Sequence, residues 1–233
     1  MIRLLQRMDD KVPRAPKAET QSAGHELRAV TLLADADESA EQALSDWARG
    51  LDWVEWLFSG IRQRMTHLHF QPPASGKLLR FQIAWEKFAQ ESLQSLLVPQ
   101  LVKAWEAAEA MQLESLISAD ANFGASLSNQ ENAQSLEAGH LLLKATRGAR
   151  YQGILKHYRT AVEEGRAPGH FLSVWAAVGH FFQLSLTNLI AEYLRLEWQT
   201  ATRDLSGSPP LANLPRLTSR LLQDHSPALR VVV

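Results

Sequence analysis

Apolar residues recur every three or four positions along most of the chain, the spacing that places them on one face of an α-helix. The first run starts after Ser39, which with Gln42 forms a potential capping box. Its apolar positions are Leu44, Trp47, Leu51, Val54, Phe58, Ile61 and Met65. The sequence QPPASG at residues 71–76 ends this helix, because two prolines in succession cannot continue one.

The same period predicts further helices along the rest of the chain. Pro99 suits the first turn of a helix, and Ser128 with Glu131 forms a second capping box. Successive helices are predicted on these sets: Leu78, Phe81, Trp85, Phe88 and Leu96; Leu101, Ala104, Trp105 and Ala108; a short one on Leu113, Leu116 and Ile117; residues 130–148; Tyr151, Ile154, Leu155 and Tyr158; Phe171, Val174, Trp175, Val178 and Phe182; Leu186, Leu189, Ile190, Tyr193 and Leu194; and residues 211–222.

The pattern predicts an all-α fold, a single-domain multi-helix bundle, because no segment shows the sustained alternation of strands. Residues 1–37 are expected to form a partly disordered arm, 38–205 the helical core domain, and 206–233 a loop with a partner-binding C-terminal helix. Residues 171–194 are long enough to cross a membrane. They contain His180, Gln183 and Glu192, however, so they are interpreted as two core helices and no membrane contact is expected.

Composition narrows the function classes. Hydrophobic residues make up 45% of the chain, and 24 basic against 25 acidic residues give a net charge of −1. This balance gives no indication of a nucleic-acid partner. Cysteine is absent, which removes disulfides and zinc–thiolate sites. The basic N-terminus lacks the apolar region of a secretory signal, so a cytoplasmic location is expected.

Motifs for catalysis are missing, and the candidate ligands are histidines. His67 and His69 could hold one transition-metal ion if their segment is extended, since alternate side chains then share a side; the competing interpretation is a solvated loop. His170 and His180 flank an aromatic helix, where one could face a pocket or both could be core or interface residues. No phosphate loop, G-x-S-x-G or H-E-x-x-H motif occurs, so no catalytic residue and no cofactor are predicted.

Gly139 and His140 lie in the middle of the helix predicted over 130–148. Glycine costs a helix interior roughly 1 kcal/mol relative to alanine. A glycine on a buried face, however, lets a neighbouring backbone or ring approach closely. We therefore expect Gly139 to lie at a close packing contact, with His140 at its edge and near a subunit surface.

From about Trp85 onward the order of features resembles the urease accessory protein F family. The similarity is carried by four stretches: WEKFAQESLQSLLVPQLVKAWEAAEAMQLESL, QENAQSLEAGHLLL, GHFLSVWAAVGHFFQLSLTNLIAEYL and TATRDL. Arg203 stands on the arginine of the family's alanine-and-arginine run. The family's glycine-rich N-terminal segment is reduced to VPRAPKAETQSAGHELRAV, and its glutamine-glycine loop is replaced by SGSPP. Both segments are associated in the family with dimer and partner surfaces.

The resemblance implies a non-catalytic accessory subunit for nickel insertion into urease. Such a subunit would dimerise and bridge a scaffold accessory protein and a nickel-carrying GTPase, acting together on the urease apoprotein. The residues expected at partner surfaces are Gly139, His140, Arg203, Leu214, Leu217 and Leu221. The leucines of the C-terminal helix must dock on their own domain or on another chain, because so short a helix is marginal alone in water.

Two alternatives stay open at this point. One is a helical-bundle enzyme of the haem-oxygenase or thiaminase-like type, with a ligand pocket lined by aromatic residues and by His170 or His180. The other is a helical secretion or effector protein, because the N-terminal third is not placed by the resemblance.

Overall fold

A computed structural model of the protein describes residues 52–73, 78–147, 153–205, 211 and 213–225. The predicted arm at 1–37, the Ser39 capping box, the apolar positions up to Leu51, the position of Tyr151 and the loop 206–210 lie outside the described residues.

The described residues fold almost entirely into helices, and no β-strand occurs among them, which confirms the all-α prediction. The α-helices are α1 (Asp52–Arg64), α2 (Leu78–Phe88), α3 (Val98–Glu109), α4 (Leu113–Ser126), α5 (Asn129–Ala145), α6 (Gly153–Glu163), α7 (Phe171–Phe181), α8 (Leu186–Thr202) and α9 (Leu214–His225). Their buried apolar faces form one hydrophobic core cluster, so the described helices pack as a single bundle.

A π-helical segment, Ala89–Leu97, joins α2 directly to α3, and Pro99 lies in the first turn of α3, as its position predicted. The backbone N–H of Val98 bonds to the carbonyl of Leu93, five residues back. A proline inside an α-helix removes one backbone bond and its ring clashes with a carbonyl of the preceding turn. A wider turn before Pro99 relieves this conflict, which explains how the helix passes through the proline.

The central helix of the bundle is α7. Every residue from Phe171 to Gly179 is buried, and the helix packs chiefly against α3, α5 and α6. Its continuation as a separate helix, α8, confirms the interpretation of residues 171–194 as two core helices. Among the described residues, no helix combines the length and apolar character needed to cross a membrane.

Two helix boundaries show how well local signals determined the fold. The capping box of α5 is present: Ser128 Oγ accepts the N–H of Glu131 at 3.3 Å, and Glu131 Oε2 accepts the N–H of Ser128 at 3.0 Å. The preceding helix α4 was predicted to be short, but it has 14 residues. Its last turns contribute Asp120 and Phe123 to the core, which the leucine pattern alone did not indicate.

Candidate functional site

A histidine–carboxylate pair holds the segment that follows α1. His69 is buried, and its Nδ1 lies 2.7 Å from Oε1 of Glu197 on α8. The same carboxylate accepts the backbone N–H of His69 at 3.1 Å and that of Phe70 at 3.0 Å, both through Oε2. One side chain of α8 therefore satisfies two backbone donors and an imidazole of a chain segment without helical hydrogen bonds of its own.

A second pair fixes the segment between α6 and α7. Asp120 on α4 accepts the N–H of Gly169 at 2.7 Å and that of His170 at 3.2 Å, and its Oδ1 lies 3.0 Å from His170 Nδ1. The hydroxyl of Tyr158 donates to the same carboxylate at 2.7 Å. His170 Nε2 lies 2.7 Å from Asn132 Oδ1 on α5. Burial and the neighbouring Asp120 raise the pKa of Tyr158, so its hydroxyl keeps its proton and remains a donor.

Ser135 on α5 links the two pairs. Its Oγ lies 3.2 Å from His69 Nε2 and accepts the N–H of Phe171, the first residue of α7, at 3.3 Å. The ring of Phe123 makes edge-on contacts with both imidazoles, with its centroid 6.1 Å from that of His69 and 5.6 Å from that of His170. The two pairs and Ser135 thus form one buried polar network, which we call the core network, where α4, α5, α7 and α8 meet.

Ser135, His69 and Glu197 follow the order of a nucleophile, base and carboxylate triad. Ser135 and Glu197 are fully buried, however, and His69 is almost so. The serine hydroxyl also accepts a backbone N–H from α7. A triad needs its nucleophile open to substrate, so this arrangement acts structurally in the described conformation. It joins the loop after α1 to the central helix.

The histidines that the sequence suggested as ligands do not form a metal site in the described part of the chain. His67 Nδ1 lies 3.0 Å from Thr66 Oγ1 and its Nε2 lies 2.6 Å from Gln134 Nε2, whereas His69 faces Glu197. Within the described ranges, no group of three or more His, Asp or Glu side chains is placed to hold a metal ion. His170 has both ring nitrogens engaged by Asp120 and Asn132, so it does not line a ligand pocket. His180, in the last turn of α7, is partly exposed.

Gly139 lies on the buried face of α5, at the close contact that its position predicted. A Cβ atom at this position would lie 2.0 Å from the carbonyl oxygen of Gly169. Gly169 has φ +85°, a backbone conformation that residues other than glycine rarely adopt. His140 is exposed, with its Cδ2 beside the same contact. Gly139 therefore supports an intramolecular contact, and only its neighbour His140 is available to a partner.

Arg203, at the end of α8, holds the end of α1. Its Nη1 donates to the carbonyl of Arg62 at 2.6 Å and to that of Met65 at 3.2 Å. The last carbonyls of a helix have no partner within it, and a basic side chain can satisfy them. Arg203 is nevertheless exposed at the surface, so its guanidinium is accessible there.

The C-terminal helix α9 is anchored to the bundle by one face. Thr218, Leu221 and Leu222 are buried, and the helix packs against α8 and α3. Leu214 and Leu217 are only partly buried, and Arg216 and Arg220 are exposed. Leu221 therefore serves as an anchor and cannot contact a partner directly while the helix is docked, whereas Leu217 and the two arginines can.

A groove of about 980 Å³ runs between α9 and α2. Trp85, Ala89 and Trp198 are its buried lining residues. Leu79 and Ile83 line it from α2, while Arg216, Leu217 and Arg220 line it from α9. We call this feature the α2–α9 groove.

One buried carboxyl lies outside the core network. Glu192 on α8 is almost fully buried, and its Oε1 is 3.4 Å from Arg195 Nη1. Burial raises the pKa of Glu192 from its usual value to about 7; Arg195 opposes this shift and Glu55 on α1 adds to it. Glu192 is therefore a buried side chain of the bundle whose protonation changes near neutral pH.

The hydroxyl of Tyr193 also belongs to the core network, since it lies 3.1 Å from His69 Nδ1. The sequence pattern did not identify the carboxylates and linking residues of this network: Asp120, Asn132, Ser135, Tyr158, Tyr193 and Glu197. A signal for two of them was present. Asp120 follows Leu116 by four residues and Glu197 follows Tyr193 by four, so each acid stands on the apolar stripe of its helix. A buried acid must find donors, and this requirement could have identified both residues as members of a polar network.

Comparisons with known proteins give one finding. The model of the UreF family matches residues 83–201, about half of the chain, from within α2 to the last turn of α8. Comparison with curated proteins and with solved structures found no match.

Proposed function

The chain belongs to the UreF family of urease accessory proteins, and we propose that it is a non-catalytic subunit that bridges a scaffold accessory protein and a nickel-carrying GTPase during nickel insertion into urease. The family match over residues 83–201 is the observation that carries this proposal. In this role nickel is cargo, and no resident metal or cofactor is needed.

The core network supports a bridging role because a bridge must hold its surfaces at fixed positions. Glu197 and Asp120 each tie a non-helical segment to a helix of the bundle through several hydrogen bonds. Satisfied buried polar networks favour a single packing arrangement of a core. Such a body would influence the GTPase by binding one of its nucleotide states more tightly than the other.

For the scaffold protein we propose the exposed side of α9, where Leu214 and Leu217 lie beside Arg216 and Arg220. Leu221 holds this helix against the bundle. His140 and Arg203 are exposed elsewhere on the surface and are proposed as contacts with the GTPase or with a second copy of the chain. The resemblance to the family supports a homodimer, and the urease apoprotein would be the final recipient of the assembly.

The proposal is tested by co-expressing the tagged chain with urease and its other accessory proteins, then measuring co-purification and the nickel content of urease. We expect Leu217→Asp to abolish co-purification with the scaffold, because an unpaired carboxylate in an apolar contact is strongly disfavoured. The matched control is Ser219→Asp, which adds the same charge to α9 two residues away and should leave co-purification intact.

Nickel content distinguishes the outcomes. Urease made without the chain should contain little nickel, and supplying the native chain should restore it. Full nickel loading in the absence of the chain, or a native chain that co-purifies with no accessory protein, would contradict the proposal.

A further inference from the structure

The α2–α9 groove exposes apolar surface that the bundle does not cover. Leu79 is 67% exposed and Ile83 is 59% exposed, although the same helix buries Phe81, Trp85 and Phe88 on its other face. Leu79 and Ile83 are four residues apart and therefore neighbours on one helix face. Together with the partly buried Leu217 across the groove, they form an apolar cleft open to solvent.

The charges of the groove are distributed unevenly. Arg216 and Arg220, one helical turn apart, line the α9 side, and among the described residues Glu86 is the one charged side chain that lines the α2 side. A ligand that places apolar groups against Leu79 and Ile83 would therefore meet positive charge along one edge. This arrangement is complementary to an apolar segment bordered by carboxylates.

The geometry favours a helix as the occupant. Both walls are helices, and the 11 residues of α2 extend over about 16 Å, or three turns. Side chains four residues apart on such walls form ridges, and the side chains of a third helix can pack between these ridges.

Most of the groove lies outside the part of the chain that matches the family. The residues outside 83–201 include Leu79, Arg216, Leu217 and Arg220.

We infer that the α2–α9 groove binds an amphipathic helix of another protein, whose apolar stripe packs on Leu79, Ile83 and Leu217 and whose acidic edge faces Arg216 and Arg220. The inference rests on the proposed function in one respect: the scaffold protein proposed to contact α9 would supply this helix. The groove would then select the partner by charge, while the apolar contacts provide most of the affinity.

Two other occupants are outcomes of the test. The first is a second copy of the chain. The second is an acidic run of this chain, ADADESAEQALSD at residues 34–46, which contains five acidic residues and no basic one.

The test uses two synthetic helical peptides as probes for the full-length chain. Both are about 18 residues long, five helical turns, and carry the same leucine stripe; one has glutamate along an edge of the stripe and the other has lysine. Fluorescence anisotropy of the labelled peptides gives their dissociation constants. We expect the acidic peptide to bind roughly tenfold or more tightly than the basic one at low salt, because opposite charges meet only in that complex.

Variants assign this preference to the groove. Arg216→Glu with Arg220→Glu should reverse it, whereas Arg64→Glu with Arg147→Glu, two exposed arginines outside the groove lining, should leave it unchanged. Leu79→Ser with Ile83→Ser should weaken both peptides alike, and Trp56→Ser, at an exposed apolar residue of α1, should not. Equal binding of the two peptides, no binding, or a preference that survives the Arg216 and Arg220 reversal would overturn the inference.

Two measurements identify the competing occupants. A variant with Asp35→Lys, Asp37→Lys, Glu38→Lys and Glu41→Lys that binds the acidic peptide tenfold more tightly than the native chain would show that the chain's own segment fills the groove. Light scattering that shows a dimer lost with Arg216→Glu and Arg220→Glu would assign the groove to a second copy. Either result overturns the inference of a separate partner.

The experiments distinguish an error in the groove inference from an error in the proposed function. If the native chain co-purifies with the scaffold but shows no peptide preference, the proposed function stands and the groove inference is wrong. If the native chain shows the expected peptide preference but co-purifies with no urease accessory protein, the groove inference stands and the proposed function is wrong.

Discussion

The core network and the α2–α9 groove differ in how far their side chains find contacts within the chain. In the core network, Glu197 and Asp120 each accept several hydrogen bonds from their own chain, and Ser135 joins the two pairs. In the groove, Leu79 and Ile83 remain exposed and the arginines of α9 face solvent. The chain itself thus supplies the polar partners of the core network, whereas the inference above assigns the covering of the groove to a partner. Changes in the core should therefore alter stability, and changes in the groove should alter binding.

The largest effect is expected for Glu197→Ala. The change removes the acceptor of two backbone N–H groups and of the His69 ring, all of them buried, and unpaired buried polar groups are costly. We expect the free energy of unfolding to fall by about 3–5 kcal/mol, the range found when one partner of a buried pair is removed. Urea denaturation measures it.

Glu137→Ala, at an exposed position of α5, is the control and should change stability by less than about 0.5 kcal/mol. If the two variants unfolded at the same urea concentration, Glu197 would not hold the segment after α1.

The next effect concerns Glu192 and depends on pH. Burial raises the pKa of its carboxyl to about 7 in the folded state, whereas the unfolded value is the ordinary one near 4.5. The folded state thus binds more protons between these values, so this carboxyl lowers stability as pH rises from 4.5 to 7. Glu192→Gln removes the titration and should gain stability over the native protein at about pH 8, by at most about 3 kcal/mol.

The measurement is urea denaturation of both proteins at about pH 5 and about pH 8, because most of the titration of Glu192 falls between these values. The advantage of the glutamine variant should be larger at the higher pH than at the lower. A constant difference at the two pH values would mean that Glu192 does not titrate in this window.

Gly139→Ala tests the contact between α5 and the segment before α7. The added methyl would overlap the carbonyl oxygen of Gly169, and overpacking of this kind costs about 1–3 kcal/mol. Gly60→Ala in α1 is the matched control, because among the described residues no atom beyond its chain neighbours and its own helix backbone lies within 4 Å of the added Cβ. It should raise stability by up to about 1 kcal/mol through helix propensity. Thermal unfolding measures both variants. If the melting temperature changed in the same direction for both, the contact would not be supported.

The smallest effect on stability is expected in the groove. Ile83→Ser replaces an exposed side chain, so the free energy of unfolding should change by less than about 0.5 kcal/mol. Binding of both peptide probes should nevertheless weaken. A large loss of stability in this variant would show that Ile83 belongs to the core, which would remove the distinction between the two regions.

Local signals predicted the helices better than the sites. The apolar period and the Ser128 capping box identified α5 and its start, and the isolated Gly139 indicated a close contact that the structure contains. Pro99 likewise marked the first turn of α3, but the π-helical segment before it was not predicted, because π-helices are rare and the apolar period assumes an α-helix. The core network was missed because Glu197 and His69 are 128 residues apart, and only tertiary packing brings them together. The groove likewise joins α2 to α9 from opposite ends of the matched region.

The central claim is that the chain bridges two accessory proteins, and native mass spectrometry of the purified components tests it most directly. Mixed with the scaffold accessory protein and the nickel-carrying GTPase, the native chain should give one complex that contains all three proteins. Without the chain, the scaffold and the GTPase should remain separate. A scaffold and GTPase that associate equally well in the absence of the chain would contradict the account.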